Sequence, residues 1–202
     1  MEKKAPLTPE EIEKNWVRFR TLCEKKLGDR SEQVLAMVDA LGERLALCPA
    51  SSKRDFHNAF PGGLVDHSLR VLGNAMRLAQ TFDVEIAKDS LIIACLFHDL
   101  GKVGSDTEDL YLPQKDMYRL EKFGEEYAYN NSIQYMTVPD RGVWLCQHFG
   151  VKLTAPEFLA IKLNDGQYAP ENAPYKLKEP TLADIVHMAD LIATKQEKGL
   201  FP

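Results

Sequence analysis

The sequence predicts an all-α domain with one small irregular or hairpin insertion. Apolar residues recur at helical spacing through most of the chain, and helix-start and helix-stop residues bracket those stretches. Strand-like character is confined to one short segment near the middle. Thr8-Pro9-Glu10-Glu11 supplies an N-cap, a first-turn proline and acidic residues suited to a helix start. Ile12, Trp16, Phe19 and Cys23 then follow at helical spacing. A second helix is predicted from Ser31 to Leu47, with Val34, Leu35, Val38, Leu41 and Leu45 on its apolar face and Pro49 beyond its end.

Ser51 to Pro61 is polar and turn-like, and Gly62-Gly63 opens a third helix through about Phe82. The fourth, from about Val84 to Leu100, is the most apolar and is expected to be central; Gly101 and Gly104 end it. Residues 105–132 are the least helical, with Leu110 to Leu120 reading as a small hairpin around Pro-Gln-Lys-Asp or as an ordered loop. Helical character returns at Tyr127 to Met136 and at Pro139 to Phe149. Thr154-Ala155-Pro156-Glu157 has the capping-box form and starts a helix to Leu163. After a long loop over 164–180, the last helix runs from Thr181 to Lys198, closed by Gly199.

Bulk properties bound the function. A chain of 202 residues, 45% hydrophobic and 27% charged, can bury a sizeable core as one domain. Its net charge of −5 argues against gripping long nucleic acid by bulk electrostatics, but not against a local basic pocket for a small anion. No stable complex with duplex nucleic acid is expected. The four cysteines are widely spaced with no C-x-x-C pair, so buried free thiols in a reducing cytoplasm are expected. No apolar run reaches the roughly 20 residues of a membrane span, and the first residues lack the apolar region of a signal peptide. A cytoplasmic protein without a membrane partner is the expectation.

His98 and Asp99 carry the functional signal. They end the apolar run Leu91-Ile92-Ile93-Ala94-Cys95-Leu96-Phe97, where an imidazole and a carboxylate cost several kcal/mol unless partnered. A bound cation satisfies both at once. His67 and Asp190 are the further candidate ligands; Asp190 shares a helix stripe with Val186 and Ala193, an apolar setting for a carboxylate. The resulting mixed nitrogen and oxygen set suits a hard or borderline divalent metal.

The segments FHNAFPGGLVDHSLRV, ACLFHDLGK and HMADLIA, in that order, resemble the motifs of the HD-domain superfamily of metal-dependent phosphohydrolases. The resemblance spans roughly Lys53 to Lys198, and its G-G-L-x-x-H block is similar to that of certain 3′–5′ exoribonucleases and small HD proteins. It implies an orthogonal helical bundle of the HD-domain type with His67, His98, Asp99 and Asp190 as metal ligands. On this reading residues 1–202 form a single domain, 1–50 being a helical pair packed on a metal-binding core of 51–199. The implied chemistry is hydrolysis of a phosphate ester or anhydride by metal-activated water.

Around those ligands the sequence offers further candidates. Asp99 belongs to the catalytic set as well as the metal set, and His148, Asp66 and Lys102 are the candidates to protonate the leaving oxygen. Lys102 is also a candidate phosphate-binding group. Arg54, upstream of His67 where related nucleotidases place a phosphate-binding arginine, and His57 are further substrate-binding candidates. Lys122, Tyr127, Tyr129, Asn130 and Tyr168 would supply stacking and amide groups from the two irregular segments, as a lid over a nucleotide. Relatives with two metals carry extra histidines, and Leu163-Asn164-Asp165-Gly166 has none. One well-held divalent ion (Mn, Co, Fe, Ni, Zn or Mg) is therefore expected, with a weak second ion left open. His187 is expected only to orient Asp190.

The leading expectation is hydrolysis of a nucleotide, a deoxynucleoside mono- or triphosphate. The alternatives are a 3′–5′ exonuclease acting on RNA or DNA ends and a non-catalytic nucleotide-binding module. Trp16, Phe19 and Leu22 on the first helix suit either the domain's own core or a second subunit of a homo-oligomer.

Overall fold

In the computed structural model, which describes residues 5–201, α1 (Pro9–Lys26) starts at the expected cap. Thr8 accepts from the Glu11 amide while the Glu11 carboxylate accepts from the Thr8 amide at 2.8 Å, satisfying two otherwise orphaned donors. α2 (Ser31–Leu47) follows a single 3₁₀ turn and is broken internally at Gly42, whose φ of 47° only glycine adopts freely. α1 packs on α2 and reaches α3 (Gly63–Thr81) and α4 (Lys88–Phe97). Phe19 is buried edge-on against Phe97, with Trp16 stacked beside it. The apolar face of the first helix thus meets the molecule's own core.

α3 lies against α4 on one side and along α8 (Thr181–Glu197) on the other, so these three helices enclose the interior. Every residue of α4 from Leu91 to Phe97 is buried, as its unbroken apolar run requires. The helix is shorter than expected: residues 84–87 carry no helical turn, and it begins at Lys88. His98 and Asp99 fall just past its end, before a 3₁₀ turn over Leu100–Val103. Gly101 in that turn is fixed by close approach, because a Cβ there would run into the Val138 carbonyl at the start of α6 (Val138–His148). α7 (Ala155–Lys162) has the expected capping box at Thr154.

The middle segment departs most from expectation. β1 (Tyr111–Pro113) pairs antiparallel with β2 (Tyr127–Tyr129), in the register Tyr111 opposite Tyr129. Tyr127–Tyr129 was expected to open a helix; it is instead a strand, and no helix follows until Val138. The connection is not a four-residue turn but α5 (Met117–Phe123), capped by Asp116 and stopped by Gly124 in the left-handed region. Alternating tyrosines explain the strand: Tyr111 is buried, with its ring 6.2 Å from that of Tyr127 and 5.4 Å from that of Tyr129. The returning edge is tied to the loop before α3 through Arg54 N–H to Gly124 O and Glu126 N–H to Ser52 O.

Among the described residues no helix is long and apolar enough to cross a membrane, and all four cysteines are free and buried. One ion-pair cluster ties the helical pair to the rest. Arg30 sends two bonds to the fully buried Glu157 of α7, at 2.7 and 2.8 Å, and one to Asp89 of α4 at 2.6 Å. Burial would raise the Glu157 carboxyl, but the Arg30 bonds outweigh it and hold it below the usual value. Arg30→Ala should therefore cost about 3 kcal/mol at neutral pH, since it strands a buried charge. A carboxylate with a lowered pKa stabilises the fold above about pH 4.3, and that contribution fades as pH falls through its folded value. Denaturant melts at pH 7 and pH 3.5 should show the gap between wild type and variant closing in acid.

Candidate metal centre

Three of the five histidines, at 57, 67 and 98, come together where α3, the end of α4 and α8 meet. His67 faces inward from α3 and is fully buried. The helix can start where it does because Gly62 takes φ 78° and Gly63 sits where a Cβ would strike the Asn58 carbonyl. His98 is also fully buried and donates Nδ1–H to the Cys95 carbonyl at 2.8 Å, which leaves Nε2 to face the site. His67 has its Nδ1 3.0 Å from Glu197 Oε2, so its Nε2 points the same way. The two Nε2 atoms are 3.3 Å apart.

The carboxylates complete the set. Asp190 Oδ1 lies 2.9 Å from His67 Nε2 and 4.0 Å from His98 Nε2. Asp99 Oδ2 lies 3.4 Å from His98 Nε2 and 3.8 Å from His67 Nε2. Donor atoms sharing one ion through bonds of about 2.1 Å sit roughly 3 to 4 Å from one another, and these separations match. His67, His98 and Asp99 form a group whose ligand atoms are all close enough to hold one ion, and His57, His67 and Glu197 form another. The residues present fit a divalent cation.

The electrostatics agree. Burial alone would lower the His67 pKa, but the Glu197 and Asp190 carboxylates outweigh it and raise the ring to about 10. Any cation at that Nε2 is favoured for the same reason. Burial likewise pushes Asp99 up, yet the Lys102 ammonium and the His98 ring hold it well below the usual carboxylate range. Lys102 Nζ is 2.5 Å from Asp99 Oδ2, and that pairing raises the ammonium's pKa against its burial. His57, half-buried beside His67, is lowered to about 4 by desolvation and by His67.

The other sequence candidates are scattered. His57 donates Nδ1–H to Glu197 at 2.9 Å and abuts the His67 ring, so it adjoins the centre. Lys102 and Tyr127 line one cavity of about 370 Å³ with Tyr111. Asp66 turns away from its neighbour His67 and accepts from Asn15 and Asn58, at 3.1 and 3.0 Å. His148 stacks on Trp144 and lies 3.7 Å from Asp106, without contact to the four ligands. Neither shares a hydrogen bond or ion pair with the four ligands among the described contacts.

Arg54 is held by Glu126 at 2.7 Å and is largely exposed, because the returning strand edge supplies it a carboxylate. Lys122 folds back over the Tyr118 and Phe123 rings of its own helix. Tyr129 is exposed beside Tyr111, and the Asn130 amide donates to the Asp109 carbonyl, pinning the hairpin. Tyr168 is exposed and borders a separate cavity beside His187. His187 donates to the Asn164 carbonyl at 2.7 Å rather than orienting Asp190.

Two acidic residues escaped the sequence reading. Glu197 sits two turns beyond Asp190 in Thr194-Lys195-Gln196-Glu197-Lys198, a stretch that reads as a solvated helix end, yet it is buried. It accepts from both His57 and His67 and meets Arg70 at 3.3 Å. Its seven-residue offset from Asp190 on one stripe was the available signal. Asp165 follows Asn164, whose amide donates to the His98 carbonyl. Its carboxyl is raised, first by desolvation and then by the Asp99 and Asp190 charges.

A family model described as HD domain matches residues 64–195. No curated protein and no solved structure gives a match. The matched stretch contains His67, His98, Asp99 and Asp190 and stops just short of Glu197. A carboxylate that receives the distal N–H of a ligand histidine fixes its tautomer and raises its basicity, at a typical value of 10- to 100-fold in metal affinity. Glu197→Gln should accordingly weaken Mn²⁺ or Co²⁺ binding about tenfold or more. Calorimetric titration checks this, with helical circular dichroism unchanged.

Proposed function

The chain belongs to the HD-domain family of metal-dependent phosphohydrolases, and we propose that its substrate is a nucleotide. The reaction is hydrolysis of a phosphate ester or anhydride, on a deoxynucleoside mono- or triphosphate. The observation that carries this reading is the convergence of the two Nε2 atoms, 3.3 Å apart, with Asp99 and Asp190 against them. A divalent ion held by those residues lowers the pKa of water toward neutrality and offsets charge on a phosphoryl group.

The chain's own groups divide the remaining work. Glu197 and the Cys95 carbonyl fix which nitrogen each ligand histidine presents. Lys102 pairs directly with the ligand carboxylate of Asp99, and it also lines the adjoining cavity. From there its ammonium, which the Asp99 pairing keeps protonated, is suited to a phosphate oxygen.

The cavity beside Lys102 supports a small substrate. Its 370 Å³ falls in the range of small-ligand sites, and Tyr111 and Tyr127 offer aromatic faces for a base. Arg44 at its rim is already committed to Asp109 and to three backbone carbonyls, so it builds the wall rather than the ligand contact.

The test is a panel of deoxy- and ribonucleotides with Mn²⁺, Co²⁺, Mg²⁺ or Zn²⁺, after metal analysis of the purified protein. Free nucleoside with phosphate identifies a monophosphatase; nucleoside with triphosphate identifies a triphosphohydrolase. Inert nucleotides with shortened oligonucleotides would replace this reading with the exonuclease. Asp99→Ala should abolish turnover while leaving helical content intact, and retained turnover would reject the site.

A further inference from the structure

A second pocket lies between α1 and α3, and none of the four metal-ligand candidates is in its lining. Its volume is about 270 Å³, and three arginines line it: Arg18 from α1, and Arg70 and Arg77 from α3. Arg70 and Arg77 are two helical turns apart on one stripe, with Gly73 between them. Among the described residues the only carboxylate in the lining is Asp66, which Asn15, Asn58 and Arg70 already engage. Arg70 also meets Glu197 on its inner side. Arg18 and Arg77 have no acidic partner among the described residues. A cationic pocket on a chain of net charge −5 is a local concentration of potential, not a reflection of composition.

Gly73 belongs to the same lining. Glycine is among the poorest helix formers, and it is retained mid-helix where backbone or packing requires it. Neither does here. Gly73 is helical, and a Cβ built on it would meet nothing within 4 Å. What its missing side chain does is leave the floor of the pocket open between the arginines.

We propose that this pocket, lined by Arg18, Arg70, Gly73 and Arg77, binds a phosphate-bearing anion at a site separate from the metal centre. Planar guanidinium forks on facing helices match the edges of a phosphate or polyphosphate, and the pocket admits a group of that size. The site needs α1, which lies outside the stretch matched by the family model. The helical pair would thus contribute to ligand binding as well as to the core.

The test is calorimetric titration of the full chain, stripped of metal, with tripolyphosphate and in parallel with inorganic phosphate. The tighter of the two tells a polyphosphate from a free phosphate ligand. Arg18→Ala/Arg77→Ala should weaken binding at least about tenfold, since two charge-assisted contacts are lost. Gly73→Glu should remove the binding that depends on Arg18 and Arg77, and Lys102→Ala, which takes away the cation of the other site, should leave that arginine-dependent binding within about twofold of wild type. Gly73→Ala serves as the variant that folds at least as well as wild type while narrowing the pocket, and it should weaken binding. Absence of binding to the wild type at millimolar probe, undiminished binding in the double arginine variant, or loss of binding in Lys102→Ala would each overturn the proposal.

Discussion

Two fully buried imidazoles point Nε2 at each other across 3.3 Å, and most of the interior is arranged to hold them there. Unshared lone pairs at that separation repel, so the arrangement persists only with positive charge between or upon them. The chain supplies the counter-charge in advance. Glu197 stands behind His67, Asp190 stands in front of it, and Asp99 lies beside His98. The raised pKa of His67 expresses the same preference in terms of a proton, and a divalent ion competes for the position that proton takes. The core around this cluster is apolar, so the attraction is little screened.

The helical frame was largely legible because its signals are local. Thr8 and Thr154 announce capping boxes, Pro49 and Gly199 lie just past helix ends, and α4 is apolar all round from Leu91 to Phe97 because that stretch is buried all round. The hairpin was not legible to the same degree. Tyr127-Ala128-Tyr129 pairs with a partner strand across an intervening helix, and no local pattern announces a contact made at that separation. Residues 84–87 belong to no helix for a related reason: Val84 donates its N–H to the Ala79 carbonyl, closing the end of α3 rather than opening α4.

The site divides along the same line. His98 and Asp99 betray themselves by ending an apolar run, and Asp190 by sharing a stripe with Val186 and Ala193. Glu197 carries no such mark. Its neighbours Lys195, Gln196 and Lys198 are those of a solvated helix end, and only the packing of α8 on α3 turns its carboxylate inward to His67. Conversely, Arg54, Lys122 and Asn130 have residue types that suit a phosphate or a base, but each is satisfied within the chain by Glu126, the rings of α5 and the Asp109 carbonyl. Residue type proposes a ligand contact; competition from nearby protein partners decides it.

α3 shows how one helix can serve two chemistries without mixing them. Its inner stripe carries Leu64, His67, Val71 and Ala75 against the core, while Asp66, Arg70, Gly73 and Arg77 follow one another along the outer side. Consecutive residues diverge by about 100°, so Asp66 and His67 face different surroundings although they are adjacent in the chain. Arg70 lies between the two stripes, meeting Asp66 on one side and Glu197 on the other. That guanidinium offsets part of the negative charge gathered behind His67, so Glu197 can be buried without the full cost of an isolated carboxylate. The outer arginine stripe therefore begins with a residue the inner site already requires, and Arg18 and Arg77 extend it outward from that point.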